Sequence, residues 1–166
     1  SEAFSFAALH QLPIIYLVQD NDWGISVSSD EARTTDAYEY AAGFKGLERV
    51  RVNGSDFVDS YKTMEYTIDW VGRERRPILV HAKVPLLGHH TSGVRKEWYR
   101  TAEDLEKHGQ NDPVPRLKKV LVQRGVKESQ LEEIEAEEKV FAQKEFDAAV
   151  AAPDPDTSTV SDHVFA

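Results

Sequence analysis

Three short runs rich in β-branched and aromatic residues, PIIYLV (13–18), RVRVNG (49–54) and PILVHAKV (77–84), are separated by stretches with helical spacing. This alternation restricts the fold more than any other feature. A strand that is followed by a helix and then by another strand pairs in parallel with it through a right-handed crossover. The sheet then carries helices on both faces, and its strands can be apolar throughout. The fold class expected is α/β, a parallel sheet covered by helices, with strands at about 13–18, 49–52 and 78–84.

The helical stretches carry their own start and stop signals. Phe4, Phe6, Ala7, Ala8 and Leu9 cover nearly every face of a short opening helix, as a helix buried on several sides would. Thr34, Thr35 and Asp36 precede AYEYAAGF, with Glu39 in capping-box spacing and Gly43 near the stop. Ser55 and Asp56 cap a long helix in which Phe57, Tyr61, Met64, Ile68 and Val71 recur at spacings of four and three, most simply a core-facing stripe. Asp112 and Pro113 suit the start of a helix that stops at Gly125. A strongly acidic helix follows over 128–152, with an imperfect stripe of Leu131, Ile134, Phe141 and Ala148. The prolines and hydroxyl residues of APDPDTSTVSDHVFA disfavour both helix and sheet interior and read as an extended tail.

With 166 residues, 40% of them hydrophobic, one core can form. The expectation is a single domain over 1–166, with an α/β portion at 1–100, a helical portion at 101–152 and the tail at 153–166. A formal net charge of -9 argues against a general nucleic-acid binder, and the basic cluster of Arg73, Arg75 and Arg76 reads as the solvated end of a helix. No apolar run approaches the roughly 20 residues of a bilayer-spanning helix, and the chain has no cysteine, which suits a reducing cytoplasm. The chain opens on SEAFSFAALHQLP without an initiator Met, so a piece of something larger is expected.

In a parallel α/β sheet, ligands sit beyond the carboxyl ends of the strands. Three loops gather there: Gln19, Asp20, Asn21, Asp22 and Trp23 after the first strand, Asn53 to Asp56 after the second, and LGHHTSGVRKEWYR after the third. Oxygen side chains followed by a loop carbonyl can supply part of the shell of a hard cation such as Mg²⁺. Asp and Asn after a strand are equally good turn formers, and a loop histidine is often structural. The residues alone leave both readings open.

EAFSFAALHQLPIIYLVQDNDWGIS, RVNGSDFVDSYKTM and GHHTSGVRKEWYR, in that order and spacing, together with DPVPRLKKVLVQRGV and VSDHVFA, resemble the α subunit of thiamine-diphosphate-dependent 2-oxoacid dehydrogenases. This is the decarboxylating first component, and GHH brings the chain nearest to the branched-chain, 2-oxoisovalerate type. The resemblance implies a partial thiamin diphosphate-binding fold, with this chain as its C-terminal part. The implied activity is oxidative decarboxylation of a branched-chain 2-oxoacid, with transfer of the acyl group to a lipoyl arm. Thiamine diphosphate and Mg²⁺ are the cofactors implied. The partners implied are a β-type subunit or domain, a lipoyl-bearing acyltransferase component and further copies of the chain.

Carried over by motif position, Asn21 binds Mg²⁺ through its side chain, and Trp23, in place of the more usual Tyr, adds its backbone carbonyl. Gly24 and Ile25 line the cofactor with backbone, and a large side chain at Gly24 would push the loop away. His90 is the catalytic histidine that faces the diphosphate and the reacting centre. Thr91 stands where mitochondrial relatives carry a phosphorylatable Ser, and Tyr99 and Arg100 match the closing pair of the loop. The departures are Asp20 for the first of two asparagines, Leu86 for an Arg, and Val94 and Arg95 for an acidic pair. The metal-binding Gly-Asp-Gly of the family would precede residue 1, so this piece by itself is expected to fold yet lack activity. Glu2 does not match the proton-relay Glu, which belongs to the β partner. The alternative, from another class, is a non-catalytic α/β assembly module that docks through its acidic final helix.

Overall fold

The structure, a computed structural model, describes residues 1–162. Residues 163–166, the end of the VSDHVFA match, lie outside the described residues. In chain order the elements are α1 (Glu2–Leu9), β1 (Ile15–Asp20), β2 (Trp23–Gly24), β3 (Val27–Ser28), α2 (Ser29–Ala32), α3 (Ala37–Ala41), β4 (Glu48–Asn53), α4 (Phe57–Glu74), β5 (Ile78–Lys83), a 3-10 turn at Lys96–Trp98, α5 (Ala102–Gln110), α6 (Pro113–Gln123), α7 (Glu128–Ala151) and a second 3-10 turn at Thr157–Ser161. The second turn falls within the segment expected to be an extended tail. Two compact units are present, Ser1–Val120 and Leu121–Ala166. Among the described residues no helix is long and apolar enough to cross a membrane.

The first unit is built on a three-stranded parallel sheet of order β1-β5-β4. β5 is central, with Ile15 beside Ile78 on one flank and Glu48 beside Ile78 on the other. Its first five residues are buried, and Ile78, Leu79 and Val80 are wholly enclosed. Burial of each such side chain contributes roughly 1.5–3 kcal/mol. Because strand side chains alternate, Leu79 joins Ala41 and Leu47 on one face, with Phe4, Tyr16, Val18, Ala37 and Phe44 packed around them. Val80 and Ala82 join Val52 on the other face, with Ile15, Val50, Met64 and Val84. Thus α1 and α3 cover one face and α4 the other, and the aromatic edge contacts of Phe4 with Tyr16 (4.7 Å) and Phe44 (5.4 Å) pin α1 in place.

Two expectations about helix faces need correction. The opening helix is not covered on several sides: only Ala7 is buried, while Phe6 and Leu9 are 59% and 77% exposed, because a narrow sheet presents a helix with a single face. The stripe along α4 also divides. Met64 packs on the sheet and Val71 is buried, but Phe57, Tyr61 and Ile68 are exposed. The buried face is turned toward Thr67, whose hydroxyl donates to the Thr63 carbonyl at 2.6 Å. That bond satisfies the hydroxyl within the helix, so a Thr can enter the interface without an unmet polar group.

The helix starts are fixed as their sequences suggest. Asp36 accepts from the Glu39 N–H and Glu39 from the Asp36 N–H, a closed capping box on α3. Asp56 caps α4 by accepting from the Asp59 N–H at 3.0 Å. Gly54, between β4 and that cap, lies against the end of β5 and donates its N–H to the Lys83 carbonyl at 2.8 Å. A Cβ there would fall 2.5 Å from Val84 Cγ1 and 2.9 Å from the Lys83 carbonyl oxygen. Gly54→Ala is therefore expected to destabilise the protein by about 1–3 kcal/mol, the usual cost of overpacking. Chemical denaturation of the full-length variant checks it, and a wild-type midpoint would show that the two strand ends can part freely.

Candidate functional site

The loop after β1 is strained in two places. Asp22 and Ile25 both have positive φ, 68° and 59°. Glycine occupies this region without penalty, but a β-branched residue such as Ile25 does not, and strain of this kind costs on the order of 1–3 kcal/mol. Between the two, Trp23 and Gly24 pair with Ser28 and Val27 in a small antiparallel hairpin, and the Ser29 N–H donates to the Asp22 carbonyl at 2.7 Å. The Asn21 side-chain oxygen accepts from the Trp23 N–H at 3.0 Å, so the carboxamide is held close to its own loop. A Cβ on Gly24 would meet only the Val27 carbonyl, at 3.9 Å, an ordinary contact.

Beneath this loop lies a cluster of charges. The face of the sheet that carries Leu79 also carries His81 and Lys83, and their neighbours on β1 are Val18 and Asp20. Asp20 is buried, and its Oδ2 accepts from Arg33 Nη2 at 2.6 Å, meets His81 Nε2 at 2.9 Å and lies 3.2 Å from Lys83 Nζ. Its Oδ1 accepts from the Asp22 N–H. Burial alone would raise the carboxyl pKa, but the hydrogen bonds from His81, Arg33, the Asp22 N–H and Lys83 outweigh it and hold Asp20 well below the usual carboxylate range. Lys83 also pairs with Asp22 and, despite partial burial, is held above its ordinary value. Asp36 extends the network, 2.8 Å from Arg51 Nη2 and 3.7 Å from His81 Nδ1.

The loop that leaves β5 carries the two histidines. His89 and His90 are both exposed, and a one-pair bridge between Thr91 and Val94 closes a tight turn just after them. The far end of the loop returns to the β1 loop: the Tyr99 ring lies 5.8 Å from that of Trp23, and the Arg100 guanidinium lies 5.3 Å from the Trp23 ring. Tyr99 Oη and Arg100 Nη2 are buried there without a hydrogen-bond partner among the described residues.

The structure thus brings Trp23 against Tyr99 and Arg100, and it sets Asn21, Gly24, Ile25, Asp56 and His90 in loops that leave the same carboxyl end of the sheet. Among the described residues no group of three or more His, Asp or Glu side chains is arranged to hold a metal ion. The donors that the β1 loop offers, the Asn21 carboxamide oxygen and the Trp23 carbonyl, are nevertheless hard oxygens, the kind that Mg²⁺ takes. They fit such an ion in type and would by themselves supply only part of its shell.

The sequence reading missed the residues gathered around Asp20: Arg33, His81 and Lys83. One signal was available. His81 and Lys83 interrupt an otherwise apolar strand at alternate positions, which places both on one face. No signal within the sequence ties His81 to Asp20, 61 residues away.

The family model described as Dehydrogenase E1 component matches residues 1–158. Among curated proteins, the chain is 30% identical over 166 residues to a 3-methyl-2-oxobutanoate dehydrogenase subunit alpha of Mycobacterium tuberculosis, a match that takes in 99% of this chain and 45% of that protein. It is 27% identical over 169 residues to a pyruvate dehydrogenase E1 component subunit alpha of Rickettsia bellii, covering 99% of this chain and 50% of that one. A mitochondrial 2-oxoisovalerate dehydrogenase subunit alpha of Caenorhabditis elegans is 32% identical over 124 residues, 74% of this chain and 28% of its own. The chain spans about half the length of the first two of these relatives.

Proposed function

We propose, from the premise that this chain belongs to the dehydrogenase E1 component family, that it is the diphosphate-binding part of a thiamine-diphosphate-dependent 2-oxoacid dehydrogenase. The observation that carries the reading is the meeting of the β1 loop with the end of the histidine loop, at Trp23, Tyr99 and Arg100, beyond the carboxyl ends of a parallel sheet. Bound thiamine diphosphate would supply the electron sink that decarboxylation of a 2-oxoacid needs. The residues of this chain supply position and electrostatics. Asn21 and Trp23 present oxygens to Mg²⁺, Gly24 and Ile25 offer backbone to the cofactor, and His90 donates a hydrogen bond to anionic oxygen as charge develops. Titration of the full-length protein with thiamine diphosphate by calorimetry, with and without Mg²⁺, tests the reading, and absence of Mg²⁺-dependent binding would refute it.

The finer features belong to the same proposal. A branched-chain 2-oxoacid as substrate is supported by the names of two of the relatives, a pyruvate-type name being the competitor. Transfer of the acyl group to the lipoyl arm of an acyltransferase component, and assembly with a β-type subunit and further copies of the chain, follow from the same family logic. Exposed Phe57, Tyr61 and Ile68 on α4 support a covered surface in the assembly. A cytoplasmic location suits a chain without cysteine. The chain by itself is proposed to be inactive, since two oxygen donors do not displace the water of a hard cation. The docking reading keeps one observation, the exposure of Ile134, Val140, Phe141, Phe146 and Val150 on α7.

Asn21→Ala in the full-length enzyme is expected to weaken Mg²⁺ and thiamine diphosphate together, by roughly 10–100-fold, the scale seen when metal-site support is removed. Calorimetry with each ligand checks this, and an unchanged cofactor affinity would retire Asn21 as a ligand.

A further inference from the structure

Leu86 stands where the histidine loop leaves β5, and both of its backbone groups are held by buried side chains. Its N–H donates to His108 Nδ1 at 2.8 Å, and its carbonyl accepts from Arg100 Nη1 at 2.9 Å. Asp104 links the two holders: it accepts from Arg100 Nε at 2.5 Å and lies 3.4 Å from His108 Nε2. His108 is 6% exposed, and the Arg100 side chain is fully enclosed. A ring nitrogen that accepts an N–H carries no proton, so the proton of the neutral ring sits on Nε2, toward Asp104. A second proton on Nδ1 would set a donor against a donor and break the bond to Leu86.

We infer that His108 is a positioning residue for the loop that carries His89 and His90: it acts through Leu86 and holds the start of the loop only while its imidazole is neutral. The consequence for turnover rests on the reading of His90 given above, but the clamp itself does not. The charged groups that face His108 come from each element around it. Asp104 and Lys107 lie on its own helix, Arg100 lies just before that helix, Asp22 comes from the β1 loop, and Lys83 from the end of β5 lines the same cavity of about 270 Å³. That cavity borders the imidazole and gives protons a route to it.

The electrostatics agree with the geometry. Burial, then the charge of Arg100, push the His108 pKa down, against the opposing pull of Asp104 and Asp22. A histidine whose folded pKa lies below its unfolded value is bound more tightly by protons when released. The clamp is therefore complete above the ordinary imidazole value of about 6.5 and is lost as pH falls through the lower folded value.

The test is amide hydrogen exchange over residues 86–100 of the full-length protein without cofactor, expressed as protection factors between pH 8 and pH 5. The wild type should keep a constant protection above about pH 6.5 and lose roughly tenfold below it, the scale of one buried hydrogen bond. In H108N the side-chain oxygen stands in for Nδ1 and does not titrate, so protection should hold across the range. H108L, which has no acceptor, should show the low value at every pH. An acid loss in H108N equal to that of the wild type, or wild-type protection in H108L, overturns the inference. Because no cofactor enters this measurement, its failure is distinct from failure of the functional reading, which would appear as a wild-type protein that does not bind thiamine diphosphate at any pH.

Discussion

Asp20→Ala is expected to destabilise the full-length protein by about 3–5 kcal/mol, the cost of leaving a buried charged partner uncompensated. The carboxylate is the common acceptor of Arg33, His81 and Lys83, and its removal strands the enclosed imidazole and the half-buried guanidinium together. Asp20→Asn keeps the shape and an acceptor oxygen and should cost less, roughly 1–3 kcal/mol. The pH dependence has a definite sign. A carboxyl held below its unfolded pKa contributes stability that is complete above about pH 4 and fades as the pH falls through the folded value. The gap between the wild type and Asp20→Asn should therefore be constant near neutrality and close in acid. Denaturant titrations at several pH values check both statements. A loss under 1 kcal/mol for Asp20→Ala would mean that the neighbouring Asp22 and Asp36 carry the load instead.

His90→Ala in the same protein is expected to lower kcat by about 100- to 1000-fold, the effect of removing one donor aimed at developing negative charge. Cofactor affinity should change much less, because an interaction that strengthens only as charge builds contributes little to the resting complex. His90 is exposed in this chain, so its removal should leave the fold and its melting temperature as they were. Steady-state kinetics beside a binding titration separate the two quantities. Equal losses in both would make His90 a binding group and nothing more.

The sheet was legible because its strands are: β5 is apolar but for His81 and Lys83, and the capped helices between the runs leave only parallel pairing. The β2 and β3 hairpin was not legible, since two-residue strands around an Ile of positive φ carry no periodicity. α5 had a readable start, with Thr101 accepting from the Asp104 N–H, but its middle is nearly all polar, and only tertiary contact shows why it is held. The face of α4 was misjudged because apolar residues at spacings of four and three were taken as the sign of burial, whereas a self-satisfied Thr67 occupies the interface. At the site, Asn21 and Trp23 were named through the family resemblance alone, and nothing local told Asp20 from a turn residue. What makes it a hub is the register that sets Val18 beside His81 and Asp20 beside Lys83, a long-range fact that no window of sequence contains.

The order β1-β5-β4 puts in the middle a strand that follows both of its neighbours in the chain, so each of them must wait for it. Ile15 meets Ile78 only after the whole intervening segment has been made, and among the described strands β4 pairs with β5 alone. Such a sheet cannot grow outward from a hairpin. Each pairing of β5 closes a long loop, and the entropy of that closure is met before the contact forms. During synthesis β1 and β4 are the segments at risk of wrong association until β5 has cleared the ribosome and can join them.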